Sequence, residues 1–357
     1  MKKLFLQMKS FAEKKDVKIS FKRYGLDAMS AMASGLFASL LIGTILNTLG
    51  TQLGIEILTT CGTYAMGTAG VAMAVSIGYA LKAPPLVLFS LAAVGSAANS
   101  LGGAGGPLAV LVIAIMATEI GKLISKETKV DIIVTPAVTI IFGVALSVLI
   151  APSIGTVASS IGKAIMWATE LQPFLMGMVV SVLVGIALTL PISSAAICAA
   201  LSLTGLAGGA AVAGCCAQMI GFAVISFKEN RWGGLISQGI GTSMLQMSNI
   251  MKNPKIAIPP IIASMITGPL ATCFFRLQMN GPAISSGMGT CGMVGPIGVY
   301  SGWLSDISNG VKTSISSLDW IGLILITTIF PALISWTLGK LLRKMNWIKE
   351  GDLKLEL

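Results

Sequence analysis

The chain reads as a series of apolar stretches of roughly bilayer length, separated by short polar, proline-rich or glycine-rich interruptions. A transmembrane helix needs about 20 mostly apolar residues. Residues 26–49 form the first such stretch, rich in Ala, Gly and Ser, the small residues that let helices approach closely. Residues 54–81 predict a second, stopped by Lys82 and the pair Pro84–Pro85. A short third, 86–100, runs into Gly102-Gly103-Ala104-Gly105-Gly106-Pro107. Residues 108–124 and 132–151 are the fourth and fifth, with the charged loop 125–131 between them. Residues 152–172 differ, because Ile154, Val157, Ile161, Ile165 and Trp167 alternate with polar positions that include Lys163 and Glu170. That pattern predicts an amphipathic helix on a membrane face.

In the second half, 173–190 is a sixth span that stops at Pro191, and 192–201 is too short to cross. Residues 205–227 are the seventh span. Residues 233–251 read as a weak, polar one carrying Gln238, Gln246 and Asn249, and 256–275 as a stronger one. Residues 276–303 are too rich in glycine for a plain helix, since each interior Gly costs about 1 kcal/mol and each Pro about 3 kcal/mol. A polar loop at 306–319 leads to the last span, 320–342, capped by Arg343 and Lys344. The prediction is an all-α polytopic membrane protein with about nine or ten transmembrane helices and two re-entrant segments.

Non-helical backbone at membrane depth is tolerated only where protein buries it or water reaches it. Residues 99–107, 191–198 and 280–296 are therefore candidate functional stretches, against the plainer reading that their glycines serve close packing. Broken helices in both halves of a polytopic chain favour a solute site near the midplane.

Composition narrows the chemistry. Of 357 residues, 54% are hydrophobic and 11% charged, with a mean hydropathy of +0.87, which excludes a large soluble enzyme. No histidine is present, so a Ser-His-Asp triad, a histidine-ligated metal, an imidazole proton relay and a phosphohistidine are all excluded. The six cysteines, Cys61, Cys198, Cys215, Cys216, Cys273 and Cys291, lack CxxC spacing and read as small, buried, reduced residues. No cofactor, no metal site and no catalytic residue is expected, because no nucleophile–base pair or metal constellation is visible.

The net charge of +10 is uneven. Residues 1–24 hold Lys2, Lys3, Lys9, Lys14, Lys15, Lys18, Lys22 and Arg23 against Glu13 and Asp16, a local excess of +6. Basic charge directly before a first span places the N-terminus in the cytoplasm. Lys82, Lys122, Lys126 and Lys129 fall on the same side, whereas beyond Pro191 the topology stays ambiguous, with a cytoplasmic C-terminus expected. Leu4, Phe5, Met8, Phe11 and Ala12 recur at helical spacing, so the leader could lie along the anionic leaflet. It is too long for a cleavable signal, and without a soluble domain it does not suit direct nucleic-acid binding.

Within the spans only Glu56 and Glu119 are acidic, and both read as interface residues: Glu56 in a first helical turn, Glu119 three residues before Lys122. Arg276 could either snorkel or face a pore. The chain instead offers neutral hydrogen-bonding groups: Asn99, Ser193, Ser194, Gln218, Gln246, Asn249, Gln278, Asn280, Ser285, Ser286 and Thr290. Amides and hydroxyls suit a small polar, sugar-like solute that needs paired donors and acceptors. Interhelical hydrogen bonding is the simpler role for any one of them.

The order of features over residues 102–201 is a glycine-rich break, a span, a charged loop, a span opening Val134-Thr135-Pro136-Ala137-Val138-Thr139-Ile140, an amphipathic helix, a span and a proline-ended re-entrant segment. It resembles the membrane domain, enzyme IIC, of the glucose-superfamily sugar phosphotransferase-system permeases. The later run NGPAISSGMGTCGMVGPIG (280–298) resembles that family's PfoR-like branch. The likeness implies an elevator-type, homodimeric permease in a bacterial inner membrane, or alternatively a PfoR-like membrane regulator that binds a solute and controls gene expression. Its partners would be the lipid bilayer, a small polar solute and separately encoded IIA and IIB proteins, the 15-residue tail being too short to form either.

Carried onto this chain, the resemblance implies a substrate site around Ser193, Ser194, Gln278, Asn280, Gly281, Ser285 and Ser286, to which the first glycine-rich break adds Asn99. It also implies a division into a basic amphipathic segment (1–25), scaffold helices (26–172), a transport-like region (173–303), a loop with the last helix (304–342) and a cytoplasmic tail (343–357). The family's histidine is missing, and the glutamate of its N-x-N-E-P motif is replaced by Gly281 in Gln278-Met279-Asn280-Gly281-Pro282. The expectation is a permease scaffold without the usual phosphorylation site.

Overall fold

The computed structural model describes residues 10–355 and is helical throughout, with no strand among these residues. Lys2, Lys3, Lys9, Leu4, Phe5 and Met8 of the basic leader lie outside the described residues. In chain order the helices are α1 (Lys22–Leu53), α2 (Glu56–Gly67), α3 (Ala69–Ala80), α4 (Pro85–Gly102), α5 (Gly106–Ile124), α6 (Asp131–Thr169) and α7 (Pro173–Thr189). They continue with α8 (Ser194–Ala200), α9 (Gly205–Ile225), α10 (Phe227–Ile236), α11 (Met247–Lys252), α12 (Pro254–Phe274), α13 (Val294–Ser308) and α14 (Ser317–Lys344). Among the described residues six helical stretches are long and apolar enough to cross a bilayer; α4 and α5 together make one of them, and α3 and α7 are shorter apolar helices. The chain is an all-α polytopic membrane protein.

Four sequence expectations are corrected. The stretch 54–81 is two helices rather than one span, interrupted at Thr68 (φ −96°, ψ 9°). The amphipathic helix expected at 152–172 is the continuation of α6, which runs for 39 residues through Pro136 and Pro152. Prolines are tolerated in membrane helices where neighbouring groups satisfy the freed carbonyls. The weak span at 233–251 is the end of α10 followed by a π turn (Ser237–Gly241), a 3₁₀ turn (Ser243–Gln246) and α11, broken at the extended Thr242 (φ −159°, ψ 146°). The polar loop begins later than 306, because α13 extends to Ser308.

The contacts divide the chain into two compact units. The first comprises residues up to 40 together with 67–156, in which α3 packs against α4, α5 and the first part of α1. One end of this unit holds a cluster of charges. Glu119 is 8% exposed and Lys122 3%, so both are enclosed by protein. Glu119 accepts from the Tyr24 hydroxyl at 3.0 Å and lies 3.5 Å from both Arg23 and Lys122. Lys122 Nζ donates to the carbonyls of Asp16 (2.7 Å) and Leu81 (3.0 Å), and Arg23 donates to the Asp16 carboxylate at 3.0 Å. The short helix at 10–14 is thereby tied down, with Lys15 donating to the Ser125 carbonyl and pairing with Glu127. That bonded Arg23 guanidinium holds the Asp16 carboxyl below the ordinary carboxylate range.

The second unit comprises 41–66 and 157 onward. Its centre is α9, packed on α7, α12 and α14. Close approach sets the spacing: a Cβ on Gly214 of α9 would stand 1.8 Å from the Ser181 carbonyl of α7, so only glycine fits there. Ser181 donates to the Ser264 carbonyl of α12 at 2.7 Å, closing the trio. The tail after α14 packs on this unit. Ile348 and Leu353 are buried in a cluster with Phe222, Ile225, Ile256 and Leu342, and the Leu353 carbonyl accepts from Asn230 (2.8 Å) and Gln246 (3.0 Å). Of the cysteines, Cys198, Cys215, Cys216 and Cys291 are buried, whereas Cys61 and Cys273 are exposed.

Candidate functional site

Both irregular stretches of the second unit are true interruptions. After α7 ends at Thr189, Pro191 removes a backbone donor and the chain restarts as α8, whose N-terminus is capped by Ser193 accepting from the Ala196 amide at 3.2 Å. The second interruption begins beyond α12. It runs extended through Gln278–Pro282, makes a tight 3₁₀ turn over Ala283–Gly287, and enters α13 through Met293 (φ 59°).

The two interruptions bond to each other. Gly205 and Met279 exchange two backbone hydrogen bonds of 3.0 Å each in an antiparallel bridge. Ser194 donates to the Gly287 carbonyl at 2.7 Å, and Ser286 donates to the Leu203 carbonyl. These bonds answer the carbonyls and amides that interrupted helices leave without partners, which a membrane interior does not forgive. Met279 and Leu277 are buried against Val212, Val299 and Trp303 beneath the bridge.

The residues expected to form a site therefore divide by role. Ser194 and Ser286 tie the two segments together, Ser193 caps a helix, and Ser285 is buried against Gly298. Gly281 lies on α13: a Cβ there would stand 2.2 Å from the Gly298 carbonyl, so the position has no room for a side chain. Gln278 is exposed and Asn280 half-buried. Asn99 belongs to the first unit, where its amide oxygen lies against Gly106. Arg276 is exposed, in a left-handed backbone conformation (φ 47°).

One residue here was missed by sequence reasoning. The Asn280 amide donates to both carboxylate oxygens of Asp306 on α13, at 3.1 and 2.9 Å, and to the Gln278 side-chain oxygen at 3.2 Å. Asp306 is half-buried and has no ion-pair partner among the described residues, Lys312 being paired with Asp319 at 2.7 Å. The arrangement is a relay in which the Asn280 amide bridges the Asp306 carboxylate and the Gln278 side chain. Its only sequence signal was an acid placed in a loop, because no plain helix was expected over 276–303 and α13 in fact runs from Val294 to Ser308. Chemically it offers strong acceptors and amide donors close together, the complement of vicinal hydroxyls.

The other neutral groups are engaged elsewhere. Thr189 bonds Ser243 at 2.8 Å, Gln218 reaches Ser264 at 3.5 Å, and Asn249 donates to Gln246 (2.8 Å) and to the Lys354 carbonyl (2.9 Å). Thr290 lies 3.5 Å from the Met219 sulfur. Among the described residues no cluster of His, Cys, Asp and Glu is placed to hold a metal ion. A groove of about 560 Å³ along α7 and α12, lined by Phe174, Met178, Ile266 and Phe274, is wholly apolar and offers a polar solute nothing.

Two interrupted helices joined at their breaks within a polytopic helical chain match the architecture that the sequence resemblance implied. The family profile described as "Phosphotransferase system, EIIC" matches residues 26–355. The chain belongs to this EIIC family. The match spans the first helix through the docked tail, so every element described above except the N-terminal segment falls within it. No curated protein and no solved structure gives a match. As an EIIC domain the protein is the membrane-transport component of a phosphotransferase system.

Proposed function

We propose that this EIIC-family permease moves a small polar, sugar-like solute, bound where the two interruptions of the second unit meet. The observation that carries the reading is the Asn280–Asp306 pair, one residue from the Gly205–Met279 bridge. A carboxylate without a cation accepts hydroxyl protons, while the Gln278 and Asn280 amides supply donors and further acceptors. Solute hydroxyls would replace the Asn280–Asp306 bonds, so binding exchanges hydrogen bonds rather than losing them. Ser193 and the backbone around Gly281 would complete the site, and Ser194, Ser285 and Ser286 would hold its shape.

The same geometry supports transport without the family's usual phosphorylation site. Gly281 stands where the motif carries a glutamate, its surroundings leave no room for one, and the chain has no histidine. The Asp306 carboxylate, on the adjoining helix, is the acid nearest that position in role. In this reading residues 173–303, with the end of α13 that bears Asp306, carry the solute in an elevator-type movement, 26–172 serve as scaffold and homodimer surface, and the N-terminus is cytoplasmic. Separate IIA and IIB proteins would bind the full assembly. The family match supports a permease and lends nothing to a PfoR-like regulator.

The test is uptake of a panel of hexoses, pentoses and polyols by the full chain in proteoliposomes, with and without a phosphoenolpyruvate-driven phosphotransfer chain. Uptake without phosphotransfer is expected. A strict requirement for phosphoenolpyruvate would overturn the phosphorylation-free reading, and unchanged solute affinity in Asn280→Ala would move the site elsewhere.

A further inference from the structure

A second binding site lies in the same unit, away from the interruptions. The end of α9, the start of α10 and the last two turns of α14 enclose a groove of about 490 Å³. Lys228, Arg231, Lys340 and Arg343 line it together with the apolar Val224, Leu235 and Trp336. Trp336 and Arg343 are seven residues apart on α14, about 10 Å along the helix.

The charges are not self-compensating. Arg343 is held by Glu229 at 2.8 and 3.0 Å and by the Ile225 carbonyl at 3.0 Å, which fixes its position and uses Glu229 completely. Lys228 meets Glu350 at 3.1 Å, but both side chains are largely exposed, so that pair contributes little. Arg231 and Lys340 have no carboxylate partner among the described residues; Lys340 rests on the Trp336 ring, 5.3 Å from its centroid. Four cations thus face two acids at the groove mouth. Arg231 also sits in a left-handed backbone conformation (φ 50°), which a non-glycine residue rarely keeps without a compensating role.

We propose that this groove binds the phosphodiester headgroup of an anionic phospholipid, with an acyl chain lying along Leu235, Val224 and Trp336. Basic pockets between transmembrane helices at the membrane boundary suit such headgroups, and a tryptophan belongs at that level. The apolar half selects the occupant. Its Trp336 belongs to Ser317–Lys344, a helix long and apolar enough to cross a bilayer, where an acyl chain finds apolar partners and where neither a free phosphate nor the surface of a soluble protein has a counterpart.

The experiment uses the purified full chain in detergent. Native mass spectrometry and thermal melting are followed while phosphatidylglycerol, phosphatidylcholine or glycerol phosphate is added. Phosphatidylglycerol is expected to stay bound and to raise the melting temperature, phosphatidylcholine much less, and glycerol phosphate not at all. The double variant Arg231→Gln/Lys340→Gln, in two exposed side chains, should lose the preference for the anionic lipid by roughly tenfold or more. Each single variant should lose part of it.

Equal retention of both lipids, or an unchanged preference in the double variant, would overturn the proposal. Displacement of the lipid by glycerol phosphate at matched concentration would assign the groove to a soluble anion. A double variant that keeps its lipid preference but loses phosphotransfer with a soluble partner would assign it to that protein. Either result would also overturn the lipid.

Discussion

The Asn280 amide and the Asp306 carboxylate are 26 positions apart in the chain and joined by hydrogen bonds of 3.1 and 2.9 Å. The pair places an acid without a cation on the segment that bridges to Gly205. Asp306→Asn keeps the shape, removes the charge and turns one acceptor into a donor. Solute binding is expected to weaken by tenfold or more, since hydrogen bonds to charged groups contribute about 1.5–3 kcal/mol. The melting temperature should change little, because the pair is half-exposed. Calorimetric titration of the variant with the transported solute measures the first, and a thermal melt the second.

Gly281→Glu would restore the residue that the family motif carries. The prediction is loss of stability rather than gain of function, because the new Cβ would meet the Gly298 carbonyl at 2.2 Å. Overpacking of this kind costs about 1–3 kcal/mol. A fall in melting temperature without phosphotransfer-dependent uptake is the expected result.

Ser194→Ala and Ser286→Ala each remove one tie between the interruptions. Each should cost about 1 kcal/mol and leave a carbonyl unanswered. Since both ties span the same joint, the double variant should be non-additive, which a double-mutant cycle of unfolding midpoints detects.

The tail gives a different readout. Leu353 is fully buried and its carbonyl accepts from Asn230 and Gln246. Leu353→Ala should destabilise by about 2–4 kcal/mol through the cavity it leaves, while truncation before Leu353 should in addition strip Gln246 of a partner. Differential scanning of the two variants, with solute uptake in parallel, separates packing from transport.

Acid should loosen the N-terminal segment. The folded Asp16 carboxyl titrates below its unfolded value of about 3.9. Its contribution to stability is therefore complete above that value and is lost as pH falls through the lower, folded one. Proteolytic cleavage around residue 16 should rise only in that acid window, and Asp16→Asn should abolish the pH step.

Much of the helix map was legible in the chain. The spans expected at 173–190 and 205–227 are Pro173–Thr189 and Gly205–Ile225, because apolar run length and flanking prolines or glycines are local signals. The short restart after Pro191 was legible for the same reason, and so was the start of the irregular stretch at 276, though it was expected to run to 303 and α13 begins at Val294. The continuity of α6 through Pro152 was not, since neighbouring groups rather than the helix itself decide whether a proline breaks it. The sequence paired Glu119 with Lys122 but not with Tyr24 and Arg23, which are more than ninety positions away. Among the site residues, Asn280 was legible as a polar group in a glycine-rich break, and Asp306 was not, because the amide that bonds its carboxylate comes from another element.

By itself the sequence determined that this is a helical membrane protein of the EIIC type, where the two interruptions of its second half begin, and that no imidazole takes part in its chemistry. Those properties follow from composition, run length and local backbone preference. Only the tertiary structure decided that the two breaks bond to each other, that Asp306 faces Asn280, that Gly281 has no space beside it, and that the tail is docked rather than free. Each of these is a contact between residues far apart in the chain, chosen by the need to satisfy buried polar groups where water is absent.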